Sequence, residues 1–230
     1  MIDLHIHSTL SDGKAEIYDI FEEAERKKLR AIAITDHGPG HACGATNREL
    51  RKLARELKAI RNSYKVKILI GVEAEVDRAG STNLNDDIDF DIILASIHTA
   101  ASEEDYFTRL KLALTKSRID VLAHHGLYLP RIDPQCNEEL VKILKERNVA
   151  VEINSFHRLP EIDFLMMCAQ AGVKYTIGSD AHSLERVGDV TWAEKISEKV
   201  FEGEKLKDEN EKDENEKNEN EKNENEKKKS

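Results

Sequence analysis

What most limits how this chain can fold is a pattern repeated along most of its length. A short, apolar, largely β-branched run comes first, then a polar residue, then an amphipathic stretch at helical spacing. The runs are Asp3–Ser8, Arg30–Thr35, Lys65–Val76, Asp89–His98, Ile119–His124, Val149–Asn154 and Lys174–Ser179. Helical periodicity covers about 15–29, 46–63, 103–116, 137–147 and 161–172, with a last segment ending near Phe201. Seven nearly all-apolar strands alternating with helices predict an α/β fold, a parallel sheet whose outer face is covered by helices. Closure of that sheet into a barrel is the expected result.

The pattern stops near residue 202, so one domain is expected over 1–202. From about Gly203 the chain becomes a five-residue repeat of Lys, Asp, Glu and Asn, as in Lys207-Asp208-Glu209-Asn210-Glu211. Those repeats hold no apolar residue to offset an ordering entropy of roughly 1 to 2 kcal/mol per residue. Residues 203–230 are therefore expected to form a charged, low-complexity, disordered tail. A net charge of −10 and a pI near 5.5 disfavour general affinity for nucleic-acid phosphates or anionic lipid. Cys43, Cys136 and Cys168 are far apart and form no C-x-x-C pair, so neither a disulfide framework nor a thiolate zinc cluster is indicated. With no leader-like N-terminal segment and no run near the roughly 20 apolar residues of a membrane span, a cytoplasmic protein is expected.

The opening strand carries the first chemical signal. Side chains two apart on a strand share a face, so His5 and His7 project together. Two polar rings on an inner face need partners, because each unpaired buried polar group costs roughly 1 to 3 kcal/mol. A metal ion would satisfy both. Nearly every later strand also ends in a metal-capable side chain: His37, Glu73, His98, His124, then Asp180 and His182. In β/α barrels the loops after the strands build the active face, so residues far apart in sequence converge there. Alternation allows only one of Asp36 and His37, and one of His124 and His125, to face that centre. Glu73 and Glu75 share a face, and alternation leaves both open.

The residues Asp3-Leu4-His5-Ile6-His7-Ser8 with Ser11-Asp12-Gly13, Ile34-Thr35-Asp36-His37-Gly38, Gly71-Val72-Glu73, Ile97-His98, His124 and Gly178-Ser179-Asp180-Ala181-His182 stand in a telling order. Over about residues 1–200 this series resembles the polymerase and histidinol phosphatase (PHP) domain. The resemblance implies a distorted seven-stranded, TIM-like β/α barrel with three divalent metal ions. It assigns one ion to His5, His7, Glu73 and Asp180, a second to Glu73, His98 and His124, and a third to Asp12, His37 and His182. Glu73 is then a bridging carboxylate, and Glu75, Asp36 and His125 are not ligands. Imidazole and carboxylate ligands suit Zn, Mn or Fe.

The reaction this implies is phosphoester hydrolysis, with a metal-bridging hydroxide attacking in line a small phosphomonoester, in the manner of a histidinol phosphatase. Glu73, Asp180 and Arg158 are the nominated catalytic groups, with Arg158 and Arg186 as candidates for the substrate phosphate. A standalone 3′–5′ or 5′–3′ exonuclease acting on nucleotide ends is the alternative, and it would need a basic or aromatic track that the sequence does not display. A non-catalytic metal-binding scaffold would fit a chain that had lost ligands, and none of the nine is lost. An amidohydrolase-type C–N hydrolase shares the His-x-His opening, but Glu73 and the Asp180-Ala181-His182 ending match the phosphoesterase pattern better.

Overall fold

The alternation in the sequence is realised almost element for element in a computed structural model that describes residues 1–99, 102–129 and 132–203. In chain order the elements are β1 (Ile2–Ile6), α1 (Ile17–Arg26), β2 (Ala31–Ile34), α2 (Asn47–Ile60), β3 (Lys67–Glu75) and β4 (Ile92–Ser96). Then follow α3 (Glu103–Lys116), β5 (Val121–Leu122), α4 (Pro134–Arg147), β6 (Ala150–Asn154), α5 (Ile162–Gln170), β7 (Tyr175–Gly178) and α6 (Thr191–Ser197). The repeat tail expected over 203–230 lies, from residue 204 onward, outside the described residues. No helix among the described residues is long and apolar enough to cross a membrane.

All seven strands run parallel in the order β1 to β7, each paired with the next. The two edges then approach each other. His7 N–H donates to Ala181 O at 2.9 Å, and the Asp3 carboxylate accepts from Ser179 N–H at 2.9 Å and Ser179 Oγ–H at 2.6 Å. The result is a nearly closed, seven-stranded TIM-like barrel with six helices outside. Helix starts are set by local chemistry: Thr46 and Glu49 form a reciprocal capping box, Ser102 caps α3, and Asp133 caps α4 with Pro134 just inside.

Strand alternation divides the side chains into two layers. Outward residues such as Ile32, Ile34, Ile68 and Ile70 pack against Phe21, Leu50 and Leu57 of α1 and α2. Ala95, Leu122, Val151 and Ile153 pack in the same way under α3 to α6. The opposite parity forms a small apolar plug of Leu4, Ala33, Leu69, Leu94, Val121 and Ala150. Further along, inward positions turn polar, as at Glu73 on β3 and Glu152 on β6. The plug therefore closes the floor beneath a polar layer at the C-terminal end of the barrel.

The fifth strand is shorter than the stretch 119–124 predicts, with only Val121 and Leu122 in register. Ala123 N–H still bonds Ala95 O at 2.9 Å, and then His124 takes φ 24° and Gly126 φ 91°. The chain leaves the sheet there to aim the His124 ring, and a positive φ at a non-glycine residue is a conformation held by its surroundings. The stretch 77–87 is a loop, as its turn residues predict. Its Asp77 carboxylate accepts from Ala79 N–H, Ser81 N–H and Asn83 Nδ2, and buried Arg109 donates to Val76 O, Asp77 O and Thr99 O.

Candidate metal centre

Of the chain's nine histidines, all but His125 gather at the C-terminal mouth of the barrel. At the centre is Glu73, buried at the inner face of β3. Its Oε1 lies 2.7 Å from His124 Nε2 and 3.5 Å from His98 Nε2. Its Oε2 lies 3.3 Å from His5 Nε2, 3.4 Å from His7 Nε2 and 2.8 Å from His37 Nδ1. Asp180 Oδ1 faces His7 Nε2 at 3.3 Å and His5 Nε2 at 3.7 Å. At the rim, Asp12 meets His182 Nε2 at 3.3 Å, His37 Nε2 at 3.5 Å and His7 Nδ1 at 3.6 Å. All nine residues nominated from the sequence thus stand in one contiguous cluster.

The side chains around the cluster fix which imidazole nitrogen faces inward. Glu152 Oε1 accepts a hydrogen bond from His5 Nδ1–H at 2.7 Å, so the lone pair of a neutral His5 sits on Nε2, toward Glu73 and Asp180. Glu75 Oε2 does the same for His98 Nδ1 at 2.6 Å, and the Asp180 carbonyl for His182 Nδ1 at 3.0 Å. Three rings are thereby locked with their lone pairs pointing into the centre. Glu152 also accepts His124 N–H at 2.9 Å and Asn154 Nδ2 at 3.2 Å through Oε2. Gly178 makes this possible: a β-carbon there would collide with Glu152 Oε1 and come within 2.6 Å of His5 Cβ.

Several buried atoms within the cluster are left without a hydrogen bond. His7 Nδ1, His37 Nδ1 and Glu73 Oε2 are orphaned, the last two although they lie 2.8 Å apart, because the angles do not suit a hydrogen bond. His5 Nε2 and His7 Nε2 approach to 3.1 Å, although a lone pair on His5 Nε2 needs a positive partner. The electrostatics point the same way. Burial opposes charge on Glu73, but His5, His124 and His37 outweigh it and hold its pKa well below the carboxylate range. Burial likewise opposes charge on Asp180, and His5, His157 and His7 overcome it. His5 is pulled well above the imidazole range by Glu152, Asp180 and Glu73 against the effect of burial, whereas burial pushes His7 down. Ionised buried carboxylates that draw positive charge onto His5, imidazole nitrogens turned inward and unpartnered ligand atoms together fit divalent cations. In His5, Glu73 and His124, in His5, His7 and Asp180, and in His7, Asp12, His37 and His182, the donor atoms lie within 4.8 Å of one another.

The open choices left by alternation fall out clearly. Asp36 turns away from the centre and accepts from Ser8 N–H, Ser8 Oγ and Ser11 Oγ, bracing the Asp12 turn. His125 points into the helical layer, with Tyr106 and Asn137 as partners, and burial lowers its pKa to about 4. Of the two arginines, Arg186 lines the cavity over the cluster, a space of about 270 Å³. Arg158 does not: it is exposed, at φ 55°, and outside the lining. Its neighbour His157 takes the rim position, with Nε2 3.2 Å from Asp180 Oδ2.

Sequence reasoning missed three contributors. Glu152 was concealed as one polar residue inside an apolar strand, although its parity with Asn154 was a usable signal. His41, whose ring centroid lies 3.6 Å from that of His37, sits in a loop without periodicity. His157 follows Phe156 in a turn, where spacing carries no directional information.

The fold and site define a class, the α/β barrels with a histidine- and carboxylate-rich metal centre at the strand ends. Residues 3–156 match the model of the PHP domain, and the chain belongs to that family. It is 32% identical over 203 residues to the DNA polymerase/3′-5′ exonuclease PolX of Bacillus subtilis, covering 82% of this chain but only 35% of that protein. It is also 32% identical over 200 residues to a probable phosphatase of Caldicellulosiruptor saccharolyticus, covering 79% of this chain and 80% of the relative. Among solved structures, histidinol phosphate phosphatase from Lactococcus lactis, in complex with zinc, L-histidinol and phosphate, superposes with a TM-score of 0.65 at 20% identity. That match covers 86% of this chain and 93% of the other and supports the barrel fold.

Proposed function

We propose that this chain is a divalent-metal-dependent phosphoesterase that hydrolyses small phosphomonoesters. The observation that carries the reading is the locking of His5, His98 and His182 by Glu152, Glu75 and the Asp180 carbonyl, which turns three Nε2 lone pairs onto Glu73, Asp180 and Asp12. In this reading His5, His7, Glu73 and Asp180 hold one ion, Glu73, His98 and His124 a second, and Asp12, His37 and His182 a third, with Zn, Mn or Fe suited to the donors. When bound, such ions activate water at neutral pH and neutralise charge developing on phosphoryl oxygens.

The chain's own residues supply the rest. Arg186 offers a guanidinium to the non-bridging phosphate oxygens from the cavity wall, held by Asp189 at 3.4 Å and by the Phe156 ring, whose centroid is 4.5 Å from Cζ. Its Nε is buried without a hydrogen-bond partner. His157 Nε2 lies 3.2 Å from Asp180 Oδ2 and is the rim imidazole placed to serve the leaving alkoxide as a proton donor. Leu127, Tyr128 and Phe156 flank the mouth. Among the described residues, Arg186 is the only lysine or arginine lining the cavity, so a chain of successive phosphates finds no cationic track. That favours a monoester over the exonuclease reading.

Arg186→Ala should lower kcat/KM for a phosphomonoester about 10²-fold while metal content stays unchanged, and Arg186→Lys should recover little of it, because a point charge does not reproduce the bidentate fork. Arg158→Ala, outside the cavity, should change kcat/KM less than threefold. Steady-state kinetics beside elemental analysis measures both. Equal losses for the two alanine variants would remove Arg186 from the phosphate site. Activity itself is tested by phosphate release from sugar, nucleotide and histidinol phosphates beside a short single-stranded oligonucleotide. Faster cleavage of the oligonucleotide than of any monoester would replace this reading with the exonuclease.

The domain assignment belongs to the same proposal: residues 1–202 carry the activity, and the charged repeats beyond them add nothing to folding. Deleting 203–230 is expected to leave the melting temperature within about 2 °C and turnover unchanged, since a segment whose one apolar side chain is Leu206 has little folding energy to contribute. A fall of more than about 5 °C would show that the tail docks on the barrel.

A further inference from the structure

Two polar side chains lie buried in the layer between helix α3 and the barrel, where apolar packing alone would satisfy a core. Arg109 is 1% and Tyr106 4% exposed, and they stand three residues apart on one face of α3, beside Phe107, Leu110 and Leu114. Burying a guanidinium or a phenol hydroxyl is unfavourable unless its donors and acceptors are met. Here both are met by chain segments that carry residues of the metal centre. Arg109 donates through Nε to Asp77 O at 2.9 Å, through Nη1 to Thr99 O at 2.8 Å and through Nη2 to Val76 O. It thereby ties the end of β3 to the residue that follows His98. Its Nη2 also lies 3.8 Å from Oε1 of Glu75, the carboxylate that orients the His98 ring, and Asp105 on the same helix faces its Nη1 at 3.3 Å.

Tyr106 serves the next strand in the same way. Its hydroxyl accepts from Gly126 N–H at 3.3 Å and donates to His125 Nδ1 at 2.9 Å, and His125 Nε2–H continues the chain to Asn137 Oδ1 on α4 at 3.0 Å. These bonds hold the two residues after His124, where φ of 24° at His124 and 91° at Gly126 need support from beyond the backbone. His98 and His124, with ring centroids 5.2 Å apart, are the two imidazoles assigned to the second ion. We propose that Tyr106 and Arg109 are positioning residues for that ion: from one face of α3 they fix His98 and His124 relative to each other without touching the metal. This role presupposes the ion assigned to Glu73, His98 and His124 in the phosphoesterase reading.

Full-length protein stripped of metal is titrated with Zn²⁺ against a chromophoric chelator, with circular dichroism and melting temperature read on the same samples. Tyr106→Phe keeps the ring and loses only the hydroxyl, and Arg109→Lys keeps a cation but not the fork that reaches three carbonyls. Each should weaken one zinc equivalent about 10- to 100-fold, the usual loss for an outer partner of a ligating histidine, and leave the others at wild-type affinity. Leu114→Ala opens a cavity at the far end of the same helix, so it should lower the melting temperature and leave every equivalent unchanged. In a His98→Ala background, which already lacks the second ion, Tyr106→Phe should weaken zinc binding no further. If Arg109→Lys does not fold, Tyr106→Phe, which preserves the packing, decides the matter. Wild-type affinity at every equivalent in Tyr106→Phe, a loss spread over all of them, or the same loss in Leu114→Ala would overturn the proposal. Wild-type protein that takes a single zinc ion would instead remove the second-ion assignment, and this role with it.

Discussion

Glu73→Gln is expected to cut phosphomonoester turnover by about 10³-fold or more and to remove metal from the protein at the same time. The carboxylate offers one oxygen to His98 and His124 and the other to His5, His7 and His37. An amide of the same shape has a single acceptor oxygen. Whichever way it turns, at least two imidazoles face an N–H donor, and the charge that draws cations to the centre is gone. Loss of one preorganised charge stabiliser typically costs 10²- to 10³-fold, and this residue serves two of the three proposed ion positions. Elemental analysis after desalting, read beside kcat and a circular dichroism spectrum, separates this outcome from unfolding. A variant that retains its full metal complement with a native spectrum would show that Glu73 is not the bridge.

The second large effect is expected at Glu152, which in this account touches no ion. Gln in its place can keep one oxygen on His124 N–H and Asn154 Nδ2, but its amide nitrogen must then face His5 Nδ1. That reverses the His5 tautomer. The proton moves to Nε2, and the lone pair that pointed at Glu73 and Asp180 disappears. Metal affinity measured by chelator competition should fall about 10- to 100-fold, the usual loss when an outer partner of a ligating histidine is changed. Glu152→Ala should also lower thermal stability, because it leaves the buried His124 N–H and His5 Nδ1 unpaired at roughly 1 to 3 kcal/mol each. Unchanged metal affinity in the Gln variant would mean that the His5 tautomer is set by something other than Glu152.

Glu152 also marks the boundary of what the sequence discloses. Strand order, barrel closure and eight of the nine clustered residues were legible because each depends on a period of two or on a strand end, whereas Asp12, in the turn after β1, came only with the resemblance to the PHP domain. His37 over Asp36 and His124 over His125 are both settled in the structure by packing on the opposite face, the one by Ser8 and Ser11, the other by Tyr106 and Asn137. What escaped lies on turns or acts through another residue. Arg158 and His157 are adjacent in sequence, yet a positive φ at Arg158 sends one outward while the other joins the rim. No periodicity encodes that choice. The two-residue β5 is a further case, since the sequence continues to read as a strand up to the residue whose backbone has to bend to present His124.

Stepwise metal reconstitution tests the central claim most directly. Protein stripped with a chelator and desalted is titrated with Zn²⁺ or Mn²⁺, while bound ions per chain and phosphate release from a phosphomonoester are followed in the same samples. Nine clustered candidate ligands exceed what one ion of four to six ligands can use, so activity should be absent in stripped protein and should rise as two to three ions bind per chain. Phosphate release at full rate from metal-free protein, or saturation at a single ion per chain, would contradict the account.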